Sequence, residues 1–205
     1  NIQFYFFKSF NYCVHMFILK KNYFFIIKSI KDIDLRKIKK RFKFIIIYRN
    51  SEKKEKYRDL QRFRNRCKSK NIAFFVANDT CLAVRLKSDG IYISANNKEF
   101  KSLFFKKNNF KIIGSAHNIK EIKNKIKQGC EEIFLSRLFK VNYKPTMSFL
   151  GINKFNFNLI NIYKFLVPLG GINFLNLNKL NNIHSKSLAI MSEVKKKPAI
   201  IRRLF

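Results

Sequence analysis

Short apolar runs alternate along this chain with charged stretches whose apolar residues fall at helical spacing. The runs are Tyr23–Ile27, Phe44–Asn50, Ile72–Ala77, Asp89–Ser94, Lys111–His117, Glu132–Ser136, Phe165–Leu169 and Ser187–Ser192. None shows sustained polar alternation, which is the pattern of strands covered on both faces of a parallel sheet. Between them, Ile30–Arg41 places Ile33, Leu35 and Ile38 among charges and predicts a helix with Asp32 as N-cap. Glu55–Ser69 predicts a basic amphipathic helix with Tyr57, Leu60, Phe63 and Cys67 on one side. Shorter helical pieces are expected at Cys81–Lys87 and Lys98–Lys107. Ile119–Gln128 follows, capped by Asn118 and stopped by Gly129. A long loop, Arg137–Ser148, precedes an Asn-rich, weakly helical stretch, Leu150–Tyr163, and a last helix is expected over Phe174–Asn182. Eight strands, each followed by a crossover, predict an α/β chain folded as a compact (β/α)8 TIM barrel.

Length and charge refine this picture. The 205 residues suit one domain, and no Pro/Gly/Ser-rich linker divides them. Residues 1–15 are aromatic-rich and expected to be an extension outside the domain, which is assigned to 16–205. Lys and Arg total 44 against 12 Asp and Glu, a formal charge of +32. Such a charge suits nucleic acid or an anionic membrane. The lysines are instead scattered over every segment, together with abundant Asn, Ile and Phe, as an AT-rich coding bias produces. A basic RNA- or ribosome-associated protein stays as an alternative that only the charge suggests; nucleic acid is not the expected partner. Lysines also break every apolar stretch before 18 residues, so no membrane span is expected. Cys13, Cys67, Cys81 and Cys130 are widely spaced without a CxxC pair, which suits reduced thiols in a cytoplasmic protein.

In a barrel of this kind the polar residues at strand ends are the candidates for chemistry. Here they are Arg49-Asn50, Asn78-Asp79, Asp89, Ser115 with His117, Ser136, Gly170-Gly171 and Ser192. Asp79 and Asp89, from neighbouring units, form a pair that suits one hard cation such as Mg2+, completed by water and substrate phosphate. Arg49 suits a di- or triphosphate, which its fork can grip through two oxygens. Gly171 and Ser192 suit a single phosphate. The bland readings stand beside these. Asn78-Asp79 is equally a turn or N-cap pair, and Asp89-Gly90 a common turn. Ser115 and Ser192 fit structural roles, and His117 fits a helix cap better than catalysis.

The order of these pieces resembles the thiamine phosphate synthase/TenI family. Asn78-Asp79 is similar to the family's N-D after strand three, and Ser88-Asp89-Gly90-Ile91-Tyr92-Ile93 to its A-D-G-V-H-L. Ile113-Gly114-Ser115-Ala116-His117 resembles I-G-x-S-x-H, with Glu121 and Gln128-Gly129-Cys130 following. Leu169-Gly170-Gly171-Ile172-Asn173 resembles A-I-G-G-I, and Leu188-Ala189-Ile190-Met191-Ser192 resembles V-A-V-I-S. The resemblance runs from about Tyr23 to the C-terminus. It implies Mg2+-assisted condensation of hydroxymethylpyrimidine pyrophosphate with thiazole phosphate, giving thiamine phosphate and pyrophosphate. Asp79 and Asp89 would then bind the metal. Arg49, Asn78 and Ser115 would hold the pyrophosphate or pyrimidine, and Gly171 and Ser192 the thiazole phosphate. Lys144 would act with Arg49 and Ser115 in catalysis. Some positions depart from the pattern. Ile47 and Ser51 replace a Gln and a Lys after strand two, with Lys53 or Lys54 as possible substitutes. Val141 and Tyr143 replace two threonines of the G-P-x-F-x-T-x-T-K loop, whereas Phe139 and Lys144 match. Arg137 stands where the tautomerase branch has a His, which argues against tautomerase activity. These losses motivate a second expectation, a family member that binds a phosphorylated ligand with altered or no turnover.

Overall fold

A computed structural model describes residues 22–38, 43–50, 55–106, 110–141, 146–161 and 165–191. Its strands are β1 (Asn22–Ile27), β2 (Phe44–Tyr48), β3 (Ala73–Ala77), β4 (Gly90–Ile93), β5 (Lys111–Ala116), β6 (Glu132–Ser136), β7 (Leu166–Leu169) and β8 (Ser187–Ile190). They form one eight-stranded parallel sheet, in which each strand from β1 to β6 pairs with the next and β8 returns to pair with β1. β7 and β8 meet at the seam, where Ser185 Oγ donates to Leu166 O at 2.9 Å. The expected (β/α)8 barrel is the observed fold.

Period-two alternation divides the strand residues into two apolar layers, because successive side chains leave a strand on opposite faces. Phe24, Ile26, Ile45, Ile47, Phe75, Tyr92, Ile113, Phe134, Val167, Leu169 and Ala189 fill the lumen. Their neighbours, including Phe25, Ile46, Phe74, Ile91 and Ile133, pack outward under the helices. Both faces of every strand are therefore covered, which is why the runs lack polar alternation. In the lumen the Phe134 ring lies 4.9 Å from Phe24 and 5.6 Å from Tyr92, centroid to centroid. Gly90 is required beside them, since a Cβ there would collide with the Phe75 ring and Lys111 O.

The crossovers include α1 (Tyr57–Ser69), α2 (Thr80–Arg85), α3 (Leu103–Lys106), α4 (Ile119–Lys127) and α5 (Ile152–Asn161). α1 buries Leu60, Phe63 and Cys67, as its spacing predicts. Asn118 caps α4, accepting from Glu121 N–H at 2.9 Å. Over the described part of the helix expected at Ile30–Arg41 stand two 3-10 turns, Ile30–Asp32 and Leu35–Lys37; residues 39–41 lie outside the described residues. Ser29 and Asp34 cap them, and Asp32 closes the first as the far member of its capping box. These short side chains satisfy the backbone locally, which ends each turn before a longer helix can propagate. Phe174–Asn182 is likewise a 3-10 helix, begun by an Asn173/Asn176 capping box. Among the described residues no helix is long and apolar enough to cross a membrane.

Candidate active site

Because all strands run one way, their C-terminal ends share one rim, and side chains continuing the lumen face close it. On β2 that continuation is Arg49, whose N–H donates to Ile27 O at 2.8 Å and fastens the rim to β1. On β5 it is Ser115, which is buried. One level below, on β4, lies the Tyr92 ring, with no exposed surface. Burial pushes the Tyr92 phenol up, while Ser115 and then Arg49 pull it down. The hydroxyl still has no partner in hydrogen-bonding geometry among the described residues. A buried hydroxyl left so costs about 1–3 kcal/mol. Arg49 and Ser115 thus continue the lumen rows near a buried Tyr92 whose hydroxyl has no hydrogen-bond partner among the described residues. Tyr92 is absent from the sequence-based candidates because a Tyr inside an apolar run reads as core.

Asn78 and Asp79 end β3 on the same rim. Asn78 has φ +60°, a left-handed conformation that Asn tolerates better than most residues. Its N–H donates to Tyr92 O at 2.8 Å, and its Oδ1 accepts from Ser94 N–H at 2.9 Å and Asn97 Nδ2 at 3.4 Å. The side-chain oxygen is thus committed to fastening β3 to the end of β4, which leaves the amide N–H groups for a ligand. Asp79 caps α2, its Oδ1 accepting from Leu82 N–H at 2.8 Å. Its second carboxylate oxygen remains available on the exposed rim. The pair thus serves turn and cap roles at the rim.

Asp89 does not join them. It precedes β4 and lies at the N-terminal end of the barrel, where its Oδ2 accepts from Phe74 N–H at 2.8 Å and its Oδ1 from Arg64 Nη2 at 2.9 Å. Phe74 and Ala77, the last residue of β3 before the Asn78-Asp79 turn, are three residues apart, which at strand rise is about 10 Å. The expectation that Asp79 and Asp89 share one cation is corrected: an acid before a strand and an acid after one sit at opposite mouths. Among the described residues no group of three or more His, Cys, Asp and Glu is placed to hold a metal.

At the far side of the mouth, Gly170 and Gly171 have φ +94° and +70°. The chain after β6 pairs with them, Leu138 N–H donating to Leu169 O at 3.0 Å and Phe139 N–H to Gly170 O at 3.1 Å. A Cβ on Gly171 would overlap Phe139 O, so close approach and conformation both demand glycine. Ser136 Oγ lies 2.8 Å from His117 Nδ1 across the β5–β6 rim. Asn118, rather than His117, caps α4, while His117 N–H donates to Glu121 Oε2 at 2.8 Å. Lys144 and Ser192, together with Lys53 and Lys54, lie outside the described residues.

A second set of residues supports the rim from below. Lys125 has no exposed surface; its Nζ donates to Asn97 O at 2.7 Å and to Gln128 Oε1 at 2.8 Å. Gln128 Nε2 in turn donates to Asn97 O at 3.1 Å and Glu99 O at 2.8 Å. Burial pulls the Lys125 ammonium down from its ordinary range. Lys125 of α4 and Gln128, its C-cap, thereby clamp the loop that brings Asn97 to Asn78. Outside the barrel wall, a cavity of about 250 Å3 opens between α1 and α2, lined in part by Tyr48, Glu55, Tyr57, Asp79 and Arg85. It shares Asn50 and Asp79 with the strand-end candidates.

A family profile described as thiamine monophosphate synthase matches residues 27–194. A thiamine-phosphate synthase of Prochlorococcus marinus is 30% identical over 131 residues, spanning 62% of this chain and 37% of that protein. A thiamine-phosphate synthase of Dictyoglomus turgidum is 26% identical over 179 residues, covering 84% of this chain and 80% of its own length. The chain thus spans little more than a third of the Prochlorococcus relative. Among solved structures, a thiamine phosphate pyrophosphorylase from Pyrococcus furiosus superposes with TM-score 0.65 at 15% identity, over 91% of this chain and 96% of that one. A 3-keto-L-gulonate-6-phosphate decarboxylase from Vibrio cholerae does so with TM-score 0.61 at 12% identity, over 90% and 97%. Both share the barrel.

Proposed function

The chain belongs to the thiamine monophosphate synthase family, and from that premise we propose that it condenses hydroxymethylpyrimidine pyrophosphate with thiazole phosphate. The thiazole nitrogen forms a bond to the pyrimidine methylene carbon as the carbon–oxygen bond to pyrophosphate breaks. Thiamine phosphate and pyrophosphate leave. The observation that carries this reading is the polar set at the C-terminal mouth: Arg49 and buried Ser115 continue the lumen rows of β2 and β5 beside the buried Tyr92, whose hydroxyl has no hydrogen-bond partner among the described residues. Arg49 and the Asn78 amide hold the pyrophosphate, and Ser115 and Tyr92 orient the pyrimidine above the lumen. Gly171, with Ser192 and Lys144, receives the thiazole phosphate. Little covalent chemistry falls to the protein; it fixes two reactants in line and offsets charge on the leaving group.

Asp79 fits a hard cation such as Mg2+, because one carboxylate oxygen remains outside its cap bond and such ions need only one or two carboxylates beside substrate phosphate. When bound, the ion would neutralise developing charge on pyrophosphate. Asp89 has no part in this. A second reading, phosphorylated-ligand binding without turnover, is favoured by Ile47. Its side chain fills the lumen at the position of the family's Gln and offers no hydrogen bond.

The test is formation of thiamine phosphate from both substrates with Mg2+. Product that requires both substrates supports the synthase. Folded protein that binds either substrate yet forms no product contradicts it and leaves the second reading.

A further inference from the structure

Arg137 begins the loop after β6 and lies across the Gly170–Gly171 turn; a Cβ on Gly170 would stand 3.1 Å from its Cγ and 3.3 Å from its Cα. The loop then folds back, Leu150 N–H donating to Arg137 O at 2.8 Å and Gly151 N–H to Leu138 O at 3.0 Å. The side chain thus leaves the backbone against Gly170, and its guanidinium reaches Met147. Its Nη2 donates to Met147 Sδ at 3.1 Å, and a thioether is a weak acceptor. Its Nη1 is buried and has no partner among the described residues. A guanidinium stays charged and carries five donors. Here Nη1 is withdrawn from water without an oxygen to receive its hydrogens, on a side chain that packs on two consecutive residues of positive φ. Glycines in such turns expose backbone N–H groups to anions, and Arg can grip two phosphate oxygens at once.

We propose that Arg137 is the cation that recognises the phosphate monoester seated over Gly170–Gly171, displacing Met147 Sδ for phosphate oxygen. The identity of that monoester as thiazole phosphate rests on the synthase reading; the anion site does not. Neither partner alone suffices: the glycines supply the approach, and Arg137 supplies the charge and the fork.

The experiment is calorimetric titration of the full chain with thiazole phosphate, its unphosphorylated alcohol and inorganic phosphate. Wild type is expected to bind the ester at least tenfold more tightly than the alcohol. Loss of charge-assisted bonds in Arg137→Met should weaken the ester by roughly tenfold to a hundredfold. Affinity for the alcohol and for pyrimidine pyrophosphate should not change. Arg137→Lys keeps a point charge and loses the fork, so its ester affinity should fall between the two. If Arg137→Met does not fold, the ester-to-alcohol ratio of Arg137→Lys decides, and an unchanged ratio overturns the proposal. A folded Arg137→Met that binds the ester as wild type does also overturns it. Turnover with an unchanged KM for thiazole phosphate in that variant sinks the Arg137 role and spares the synthase. Ester binding through Arg137 without product does the reverse.

Discussion

Asp89→Ala separates the two ends of the barrel. The substitution removes the acceptor of Phe74 N–H and the carboxylate beside Arg64, which is itself nearly buried. Arg64 keeps two bonds to Lys87 O at 2.9 and 3.1 Å, so its charge is not stranded. The Asp89 side chain is 41% exposed, and water can reach part of the vacated space. Taking the charged-bond range and discounting it for exposure leaves a loss of about 2 kcal/mol. For a domain of this size that is a fall in Tm of roughly 4–8 °C. Turnover per folded molecule and its Mg2+ dependence should match wild type. The assay pairs thermal unfolding with a Mg2+ titration of initial rate. An unchanged Tm together with a weakened Mg2+ response would refute the placement of Asp89 at the far mouth.

Other perturbations probe the core and the rim. Burial pushes the Cys67 and Cys130 thiols up to about 12 from an ordinary 9.0, so above pH 9 the unfolded chain loses protons that the folded chain keeps. Stability should then fall with rising pH by up to about 1.4 kcal/mol per unit for each thiol, read from urea midpoints at pH 8 and pH 10, and Cys67→Ala should flatten the slope. Lys125 acts oppositely: its lowered folded value makes stability rise as pH climbs through that value toward 10.5. Lys125→Met should abolish that rise and, by loosening Asn97, raise the KM for pyrimidine pyrophosphate roughly threefold to tenfold with a smaller change in kcat. An unaltered KM would show that the clamp does not reach the rim. Phe134→Ala, which opens the lumen between Phe24 and Tyr92, should cost about 3–5 kcal/mol in equilibrium denaturation. A cost under about 1 kcal/mol would show that the lumen is not close-packed.

Strands were legible where two-sided burial forces continuous apolar runs, as in Phe44–Tyr48 and Glu132–Ser136. Helix starts were legible where an Asn or Asp caps, as Asn118 does. The stretch from Ile30 was not, because Ser29, Asp32 and Asp34 bond to nearby backbone more readily than helical spacing can propagate. Strand polarity decides which acid reaches the active mouth, and a motif such as Asp89-Gly90 does not carry it until the strand boundary is known. Lys125 was not among the candidates, since nothing in a lysine-rich sequence marks a lysine turned inward. Arg137 read as a departure from a pattern; its donors gained meaning once Gly170 was found beneath it. Arg49 and Ser115 were legible because each continues a lumen-facing row at the C-terminal end of its strand.

Single-turnover formation of thiamine phosphate in wild type, Asp79→Asn and Asp89→Ala, at saturating Mg2+ and both substrates, tests most directly whether chemistry belongs to the C-terminal mouth. The account predicts product from wild type and Asp89→Ala at similar rates, and a loss of at least a hundredfold in folded Asp79→Asn. Equal losses in both variants, or an unaffected Asp79→Asn, would contradict it.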